Sequence, residues 1–372
     1  MKDAATIINE DLDCICDALT SELSRMSGKS VLITGGAGFL GYYLVQALLH
    51  FNTRAAAAPI TVSVYDNFSR GLPDWLQNLS GNAHLDLVKH DITHPLPPGF
   101  PDFDFIIHAA SIASPIFYRK HPIETMDANV NGLRQLLEHC RSRKETGRRP
   151  VEGFLFYSTS EIYGDPTPEN IPTPETYRGN VSCTGPRACY DESKRYGETL
   201  CVNFAEVYGL PIKTARPFNN YGPGLKITDG RVLPDMARDI LAGRDIVMLS
   251  DGSPTRTFCY VTDAITGYLK VLVRGRPGEA YNVGVESPEI SMGAIADMLA
   301  RLGTELFGYK GKVVRGVSAD NNYLVDNPNR RCPDIAKART ELDYDPSVEL
   351  EDGLRRMLIW YAGNQAPGGE EK

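Results

Sequence analysis

The sequence predicts an α/β fold: a doubly wound parallel sheet, with a smaller lid assembled from the C-terminal part of the chain. Two observations carry this expectation. Short apolar runs recur with helical-period segments between them, and such runs suit strands that are covered by helices on both faces. The 372 residues are 42% hydrophobic and 23% charged, the composition of a globular chain long enough to bury a large core.

The elements follow in order. Between residues 6 and 26, Ile7, Ile8, Leu12, Ile15, Leu19, Leu23 and Met26 recur at the spacing of one helical face. This predicts an N-terminal helical extension over residues 1–28, outside the main fold and packed on its own subunit or on a partner. SVLIT (30–34) is the first strand, followed by a glycine-rich turn and a helical segment at 39–51. Further strands are expected at 60–66, 84–91, 103–110 and 153–159, with a helix at 121–142. Five prolines between 164 and 189 predict a long irregular loop. A helix at 188–208 and a strand at 212–217 complete the regular alternation. Beyond residue 218 come helices near 231–242 and 263–274, a segment at 245–263, a strand at 280–284 and a last helical region.

The expected division is a dinucleotide-binding domain over 29–218 that also receives about 258–284, a lid from 219–257 and 285–363, and a disordered tail at 364–372. Lys+Arg number 39 and Asp+Glu 47, a net charge of −8 without a basic stripe. This argues against a nucleic-acid partner. No apolar run approaches the ~18 residues of a membrane span, so no membrane partner is expected. The acidic amphipathic start and eight scattered cysteines point to a reducing cytoplasm. Cys14 and Cys16 form C-x-C, but no further ligands follow at zinc spacing, so no metal is expected.

Gly35, Gly38 and Gly41 lie at G-x-x-G-x-x-G spacing between a strand and a helix. In this pattern the first glycine makes the tight turn, the second admits a pyrophosphate to the backbone and the third lets the helix pack on the sheet. The helix start at Phe39 and Leu40 offers unpaired N–H groups to phosphates. Asp66, ending the second strand, is placed to accept ribose hydroxyls, and its charge favours NAD over NADP, although Arg70 leaves room for a phosphate. Asn67, Asp91, Ile92 and Ala110 complete the expected cofactor residues.

Tyr190 and Lys194 form Y-x-x-x-K, one helical turn apart on one face. A nearby Lys⁺ and a nicotinamide cation both favour phenolate, so this pair can supply a general base, and both residues are also expected against the cofactor. Ser158-Thr159-Ser160-Glu161-Ile162-Tyr163-Gly164 follows the fifth strand, at the carboxyl edge where open α/β sheets bind ligands.

Together, G-G-A-G-F-L-G, Asp66, His108-Ala109-Ala110-Ser111, S-T-S-E-I-Y-G and Y-x-x-x-K resemble the extended short-chain dehydrogenase/reductase family of nucleotide-sugar enzymes, across roughly residues 29–362. Within that family the chain is most similar to the UDP-glucuronate decarboxylases. Thr159 to Pro166 resembles T-S-E-V-Y-G-D-P, Gly185 to Arg195 resembles G-P-R-A-C-Y-D-E-G-K-R apart from Ser193, and Thr255 to Val261 resembles T-R-x-F-x-Y-V. Thr228 to Leu233 and Arg331 to Ile335 resemble two further motifs of the group. The resemblance implies a Rossmann-type fold, bound NAD, a homodimer built on the Y-x-x-x-K helix, and a UDP-hexuronate substrate.

It also implies roles. Tyr190, helped by Lys194 and Thr159, would take the C4 proton as C4 is oxidised. The C6 carboxylate, now β to a ketone, would leave as CO2, and Glu161 would hold the water that protonates C5. Ser160 stands where the 4,6-dehydratases carry an acid. Arg331 is implied as a carboxylate or ring contact, Arg231 and Arg256 as diphosphate ligands, Asn219 as a phosphate or sugar contact, and Tyr118 and Tyr260 as further substrate residues. The alternatives are a 4-epimerase or a 4,6-dehydratase of the same family. The loop from Ala113 to Pro122 departs from the decarboxylase pattern by its added basic residues.

Overall fold

β-Branched and aromatic residues dominate the central strands, which are buried along nearly their whole length. The computed structural model describes residues 2–54, 58–318 and 325–364. Its main sheet consists of β1 (Ser30–Thr34), β2 (Thr61–Asp66), β3 (Leu85–Lys89), β4 (Phe105–His108), β5 (Gly153–Tyr157), β6 (Ile212–Pro217) and β7 (Ala280–Val283). All neighbours are parallel, in the order β7-β6-β5-β4-β1-β2-β3. The order reverses between β1 and β4, and the crevice outside their carboxyl ends is where such sheets take a ligand.

The expected strands and the 188–208 helix form where their patterns place them, the latter as Ala188–Tyr208. The 121–142 segment is not one regular helix. It runs as Pro122–Asp127, a π turn at Ala128–Gly132, and Leu133–Glu145. At the wide turn Gly132 lies close against Ile92, where a Cβ would come within 2.8 Å of a side-chain carbon. Asn129 there donates to Ser193 Oγ at 2.9 Å, fixing this segment on the Ala188–Tyr208 helix.

The N-terminal extension corrects the expectation. It forms α1 (Ala4–Ala18) and α2 (Thr20–Met26) and belongs to the main fold. Ile8, Leu12, Ile15, Leu19, Leu23 and Met26 are buried in the same core as α3 (Phe39–Arg54) and the helices Val261–Arg274 and Leu350–Asn364. Asp11 on α1 is fully buried and accepts hydrogen bonds from Tyr43 Oη at 2.6 Å, Tyr260 Oη at 2.7 Å and Arg356 Nη1 at 2.8 Å. A buried carboxylate is tolerated only when its oxygens are satisfied in this way. Cys14 is exposed while Cys16 is buried, and no metal-holding group occurs among the described residues.

After β6 the chain makes short strands. Asn220–Tyr221 pairs with Cys259–Tyr260, and Thr255–Arg256 lies between Ile290–Ser291 and Arg330–Arg331. The 164–189 segment is irregular apart from a 3-10 turn at Pro168–Asn170, and bridges tie Gly164 to Asn180 and Thr173 to Pro333. Of the tail expected at 364–372, Asn364 still belongs to the last helix, and 365–372 lie outside the described residues. No described helix is long and apolar enough to cross a membrane.

Ile15 has 0% exposure, so Ile15→Ala should lower unfolding stability by ~2–5 kcal/mol, the usual cost of truncating a buried aliphatic side chain. Urea titration measures it. A helix lying outside the fold would shift stability by less than ~0.5 kcal/mol.

Candidate active site

The turn after β1 carries the first half of the site. Gly35 has φ +73°, and a Cβ there would meet Ala110 Cα at 2.5 Å, so only glycine fits this crossing of β1 and β4. Gly41 corrects the expected role of the third glycine: a Cβ there would overlap the Gly36 carbonyl. Its absence lets the first turn of α3 close on the glycine turn itself. The close approach to the sheet belongs to Gly36, whose Cβ would come within 2.9 Å of Val64. Around Gly38 the nearest obstacle is Gly35 O at 3.3 Å, leaving its outer face open beside Phe39 and Leu40, whose N–H groups begin a 16-residue helix.

Asp66 ends β2 and is half-buried. Its oxygens accept from Ala37 N at 3.0 Å and Phe68 N at 2.8 Å; burial raises its pKa against the pull of these N–H groups. Asn67 donates to Asp91 at 3.0 Å, Asp91 also accepts from Thr93, and Ile92 packs at Gly132. An open glycine cradle, a helix start and a strand-end carboxylate fit a dinucleotide. Arg70 is drawn away from this edge: it donates to Asp229 at 3.1 Å, with its guanidinium 4.8 Å from the centre of the Phe117 ring.

Tyr190 and Lys194 are both buried on the Ala188–Tyr208 helix. Lys194 Nζ donates to Tyr157 O at 2.7 Å, at the end of β5, and lies 5.8 Å from the centre of the Tyr190 ring. Burial brings Lys194 down to about 7. Burial pushes Tyr190 up to about 12, opposed by a hydrogen bond with Thr159 and by the Arg231 charge. Within the chain alone, burial outweighs the nearby charges on the phenol. Tyr118 stacks on Tyr190 with ring centres 5.1 Å apart and planes 9° from parallel. Thr159 also accepts from Glu161 N at 3.2 Å, which starts the turn holding the buried Ser160.

Glu161 is held by two arginines. Arg331 grips both oxygens, Nη1 to Oε1 and Nη2 to Oε2, each at 2.6 Å, and Arg187 Nη2 donates to Oε2 from the other side. Burial would raise the Glu161 pKa, but Arg187 and Arg331 hold it below the ordinary value. Asp191, 3.5 Å from Arg187 Nε, is lifted to about 7 by burial and by Glu161. The sequence reading missed Arg187 and Asp191 as site residues. The signal was present, since both flank Tyr190 at the start of one helix.

Asn219, at φ +42°, donates to Thr257 O at 2.8 Å and faces Arg331 at 3.5 Å. Arg231 lies 2.9 Å from Asp229. Two expected substrate residues are engaged elsewhere. Arg256 is buried and spends its guanidinium on Thr255 O at 2.7 Å, Pro328 O at 2.6 Å and Asn329 O at 3.2 Å, so it presents no free fork to a diphosphate. Tyr260 is fully buried with its hydroxyl on Asp11, turned into the core.

Residues 31–284 match the model of the NAD dependent epimerase/dehydratase family. The chain belongs to this family. It is 36% identical over 334 residues to UDP-glucuronic acid decarboxylase 6 of Arabidopsis thaliana, covering 89% of this chain and 88% of that one. Among solved structures, an epimerase from Methanothermobacter thermautotrophicus superposes with a TM-score of 0.78 at 27% identity, covering 94% of this chain and 96% of its own. The UDP-glucuronic acid 4-epimerase from Bacillus cereus, in complex with UDP-glucuronic acid and NAD, does so with 0.71 at 25% identity, covering 89% and 98%. The doubly wound sheet is the one the family shares.

Gly41→Ala should weaken NAD binding by roughly tenfold or more, ~1.4 kcal/mol, because the new Cβ displaces the phosphate turn. Gly81→Ala, with nothing within 4 Å of its added Cβ, should leave binding unchanged. Calorimetric titration with NAD compares the two.

Proposed function

We propose that this chain decarboxylates a nucleotide-linked hexuronic acid, with UDP-glucuronate giving UDP-xylose as the reaction to test first, by oxidation at C4, loss of CO2 and re-reduction. The observation that carries this reading is Glu161 held by the guanidinium groups of Arg187 and Arg331, close to the buried Tyr190, whose phenol pKa Thr159 lowers. A base for a sugar hydroxyl and cations for a sugar carboxylate lie together. The decarboxylases related to this chain support the choice of substrate.

The residues placed to hold NAD are Gly35, Gly38, Phe39, Leu40, Gly41, Asp66, Asn67, Asp91, Ile92 and Ala110, with Tyr190 and Lys194 at the reacting end. Holding Arg70 on Asp229 keeps it from a 2′-phosphate and favours NAD over NADP. When bound, NAD would supply the acceptor, and later the donor, of the C4 hydride. Tyr190 accepts the C4 hydroxyl proton through or beside Thr159, and Lys194 fixes the helix end on Tyr157. Once C4 is a ketone, the C6 carboxylate is β to a carbonyl, and its carbon–carbon electrons flow to the C4 oxygen as CO2 departs. The protonated Tyr190 donates to that oxygen. Glu161, with Ser160, orders the water that delivers a proton to C5. Stacking of Tyr118 on Tyr190 keeps bulk water off the phenol. Arg331 and Asn219 contact the sugar, and Arg231 meets the diphosphate.

The same proposal covers the organisation. A cofactor domain of 29–218 with 258–284 faces a lid of 219–257 and 285–363. Exposed Ile123, Met126 and Tyr196, on the packed helices Pro122–Asp127 and Ala188–Tyr208, offer an apolar face for a homodimer. Eight free thiols suit the cytoplasm. A 4-epimerase acting on the same C4 is the second reading, favoured by the likeness to the Bacillus cereus enzyme.

Incubation with UDP-glucuronate and NAD should yield a product lighter by one CO2. A product of unchanged mass at a new chromatographic position would replace decarboxylation by epimerisation. Tyr190→Phe should reduce kcat by ~10²–10⁴, the span of a lost general base, with NAD affinity retained.

A further inference from the structure

Three loops meet on one carboxylate at the other end of the crevice. Asp229 is buried. Arg70 Nη1 donates to its Oδ2 at 3.1 Å, Arg231 Nε lies 2.9 Å from its Oδ1, and the Ser114 hydroxyl donates to its carbonyl at 2.8 Å. Lys226 Nζ in turn donates to the Arg70 carbonyl at 3.0 Å. Arg70 belongs to the loop after β2 and Asp66, Ser114 to the loop after β4, and Asp229 to the segment after the Asn220–Tyr221 strand. A carboxylate taken out of water persists only where partners satisfy it, so this contact holds the three loops together.

The segment carrying Asp229 is pressed down along its length. At Gly224, φ +88°, a Cβ would lie 2.6 Å from the Tyr42 ring, on the helix that begins at the glycine turn. At Gly230, φ +79°, a Cβ would overlap the Ile116 side chain, in the loop after β4. Leu225 and Ile227 between them are buried. Residues 224–230 therefore reach from α3 to the loops after β2 and β4, and the crevice outside the carboxyl ends of β1, β2 and β4 lies beneath them. Arg231 follows directly. Its contact with Asp229 is an ion pair without a hydrogen bond, since Oδ1 has no hydrogen-bond partner, so the N–H groups of Arg231 are aimed away from the carboxylate. Its charge is felt at Tyr190. One buried carboxylate thus joins an arginine at the cofactor edge to an arginine at the reacting end.

We propose that Asp229 is a positioning residue that clasps the 224–230 segment over bound NAD through Arg70 and holds Arg231 toward the substrate diphosphate, so that a bound nucleotide sugar slows the loss of NAD. The proposal rests on the diphosphate role given to Arg231 above. A diphosphate that engages Arg231 fixes the end of the segment and with it the clasp, and by linkage NAD held under a closed segment favours the Arg231 position that the substrate needs. A hydride taken from C4 has to return to the same carbon, and a cofactor retained while the sugar is bound keeps the keto sugar from being stranded.

The test starts from protein loaded with radiolabelled NAD and follows release of the label into excess unlabelled NAD, with and without UDP. In the parent protein UDP should slow release by about threefold or more; an unchanged rate overturns the proposal. Arg70→Gln should speed release by about threefold or more, the effect of losing a partly exposed partner of a buried carboxylate, and Arg70→Lys should recover part of the retention. Asp229→Asn should speed release further and abolish the effect of UDP. Adding Arg70→Gln to Asp229→Asn should change nothing more, because both remove the same contact. Parent rates in the single variants overturn the proposal, and so do fully additive effects in the double variant. If Asp229→Asn does not fold, Arg70→Gln decides alone: faster release with a weaker UDP effect supports the clasp, and an unaltered rate overturns it. Calorimetry with UDP separates this proposal from the role of Arg231 on which it rests. Arg231→Gln should weaken UDP binding by about tenfold. Undiminished binding removes the diphosphate role and this proposal with it, whereas weakened binding with NAD release insensitive to Arg70 and Asp229 removes this proposal alone.

Discussion

Glu161, buried between Arg187 and Arg331, is the contact on which the rest of the site depends. The three residues come from three regions of the chain. Glu161 follows β5, Arg187 opens the Ala188–Tyr208 helix, and Arg331 lies in a short strand paired in register with Arg256 of another. In a low-dielectric interior these charges persist only as a mutually satisfied set, and loss of one partner of such a set typically costs ~3–5 kcal/mol. The same set therefore joins the large sheet to the C-terminal segments at the point where a sugar would lie. Binding chemistry and closure of the chain around the site are one electrostatic problem.

That interior imposes an opposite demand on Tyr190 and Lys194. Dryness protects a keto sugar and sharpens each hydrogen bond, yet it favours the neutral phenol and the neutral amine. Burial takes Tyr190 to about 12 and Lys194 to about 7. Thr159 and Arg231 offset part of the phenol's shift. A base working near neutral pH therefore needs the positive charge of an oxidised cofactor as well as the Y-x-x-x-K spacing, which explains why glycine turn and tyrosine helix meet at the same sheet edge.

Local patterns made the sheet and both motifs legible. SVLIT is a strand at the residues read, and the 188–208 periodicity is the observed helix, because strand alternation and helical spacing are written in consecutive residues. What was missed depends on distant ones. The helical face of α1 was visible, but the groups that receive Asp11 lie 32, 249 and 345 residues away. The arginines that hold Glu161 are 26 and 170 residues distant, beyond the reach of a linear motif. Arg256 and Tyr260 were drawn to the substrate by one linear motif, whereas the chain splits there into two separate short strands, one meeting Arg331 and the other carrying Tyr260 into the core. Arg187, inside a quoted motif, was overshadowed by the tyrosine three residues on.

The N-terminal residues gain a mechanical meaning from the same contacts. Asp11 holds Tyr260, whose strand Cys259–Tyr260 pairs with Asn220–Tyr221, immediately after Asn219. Asn219 bonds Thr257 and faces Arg331, the residue that grips Glu161. Helix α1 is thus linked through two short strands to the central ion pair. Such a chain of packed elements constrains geometry without requiring motion, and a catalytic group displaced by about 1 Å loses much of its effect. The extension ahead of β1 is part of the core, fixed to the short strand Cys259–Tyr260 through a buried carboxylate.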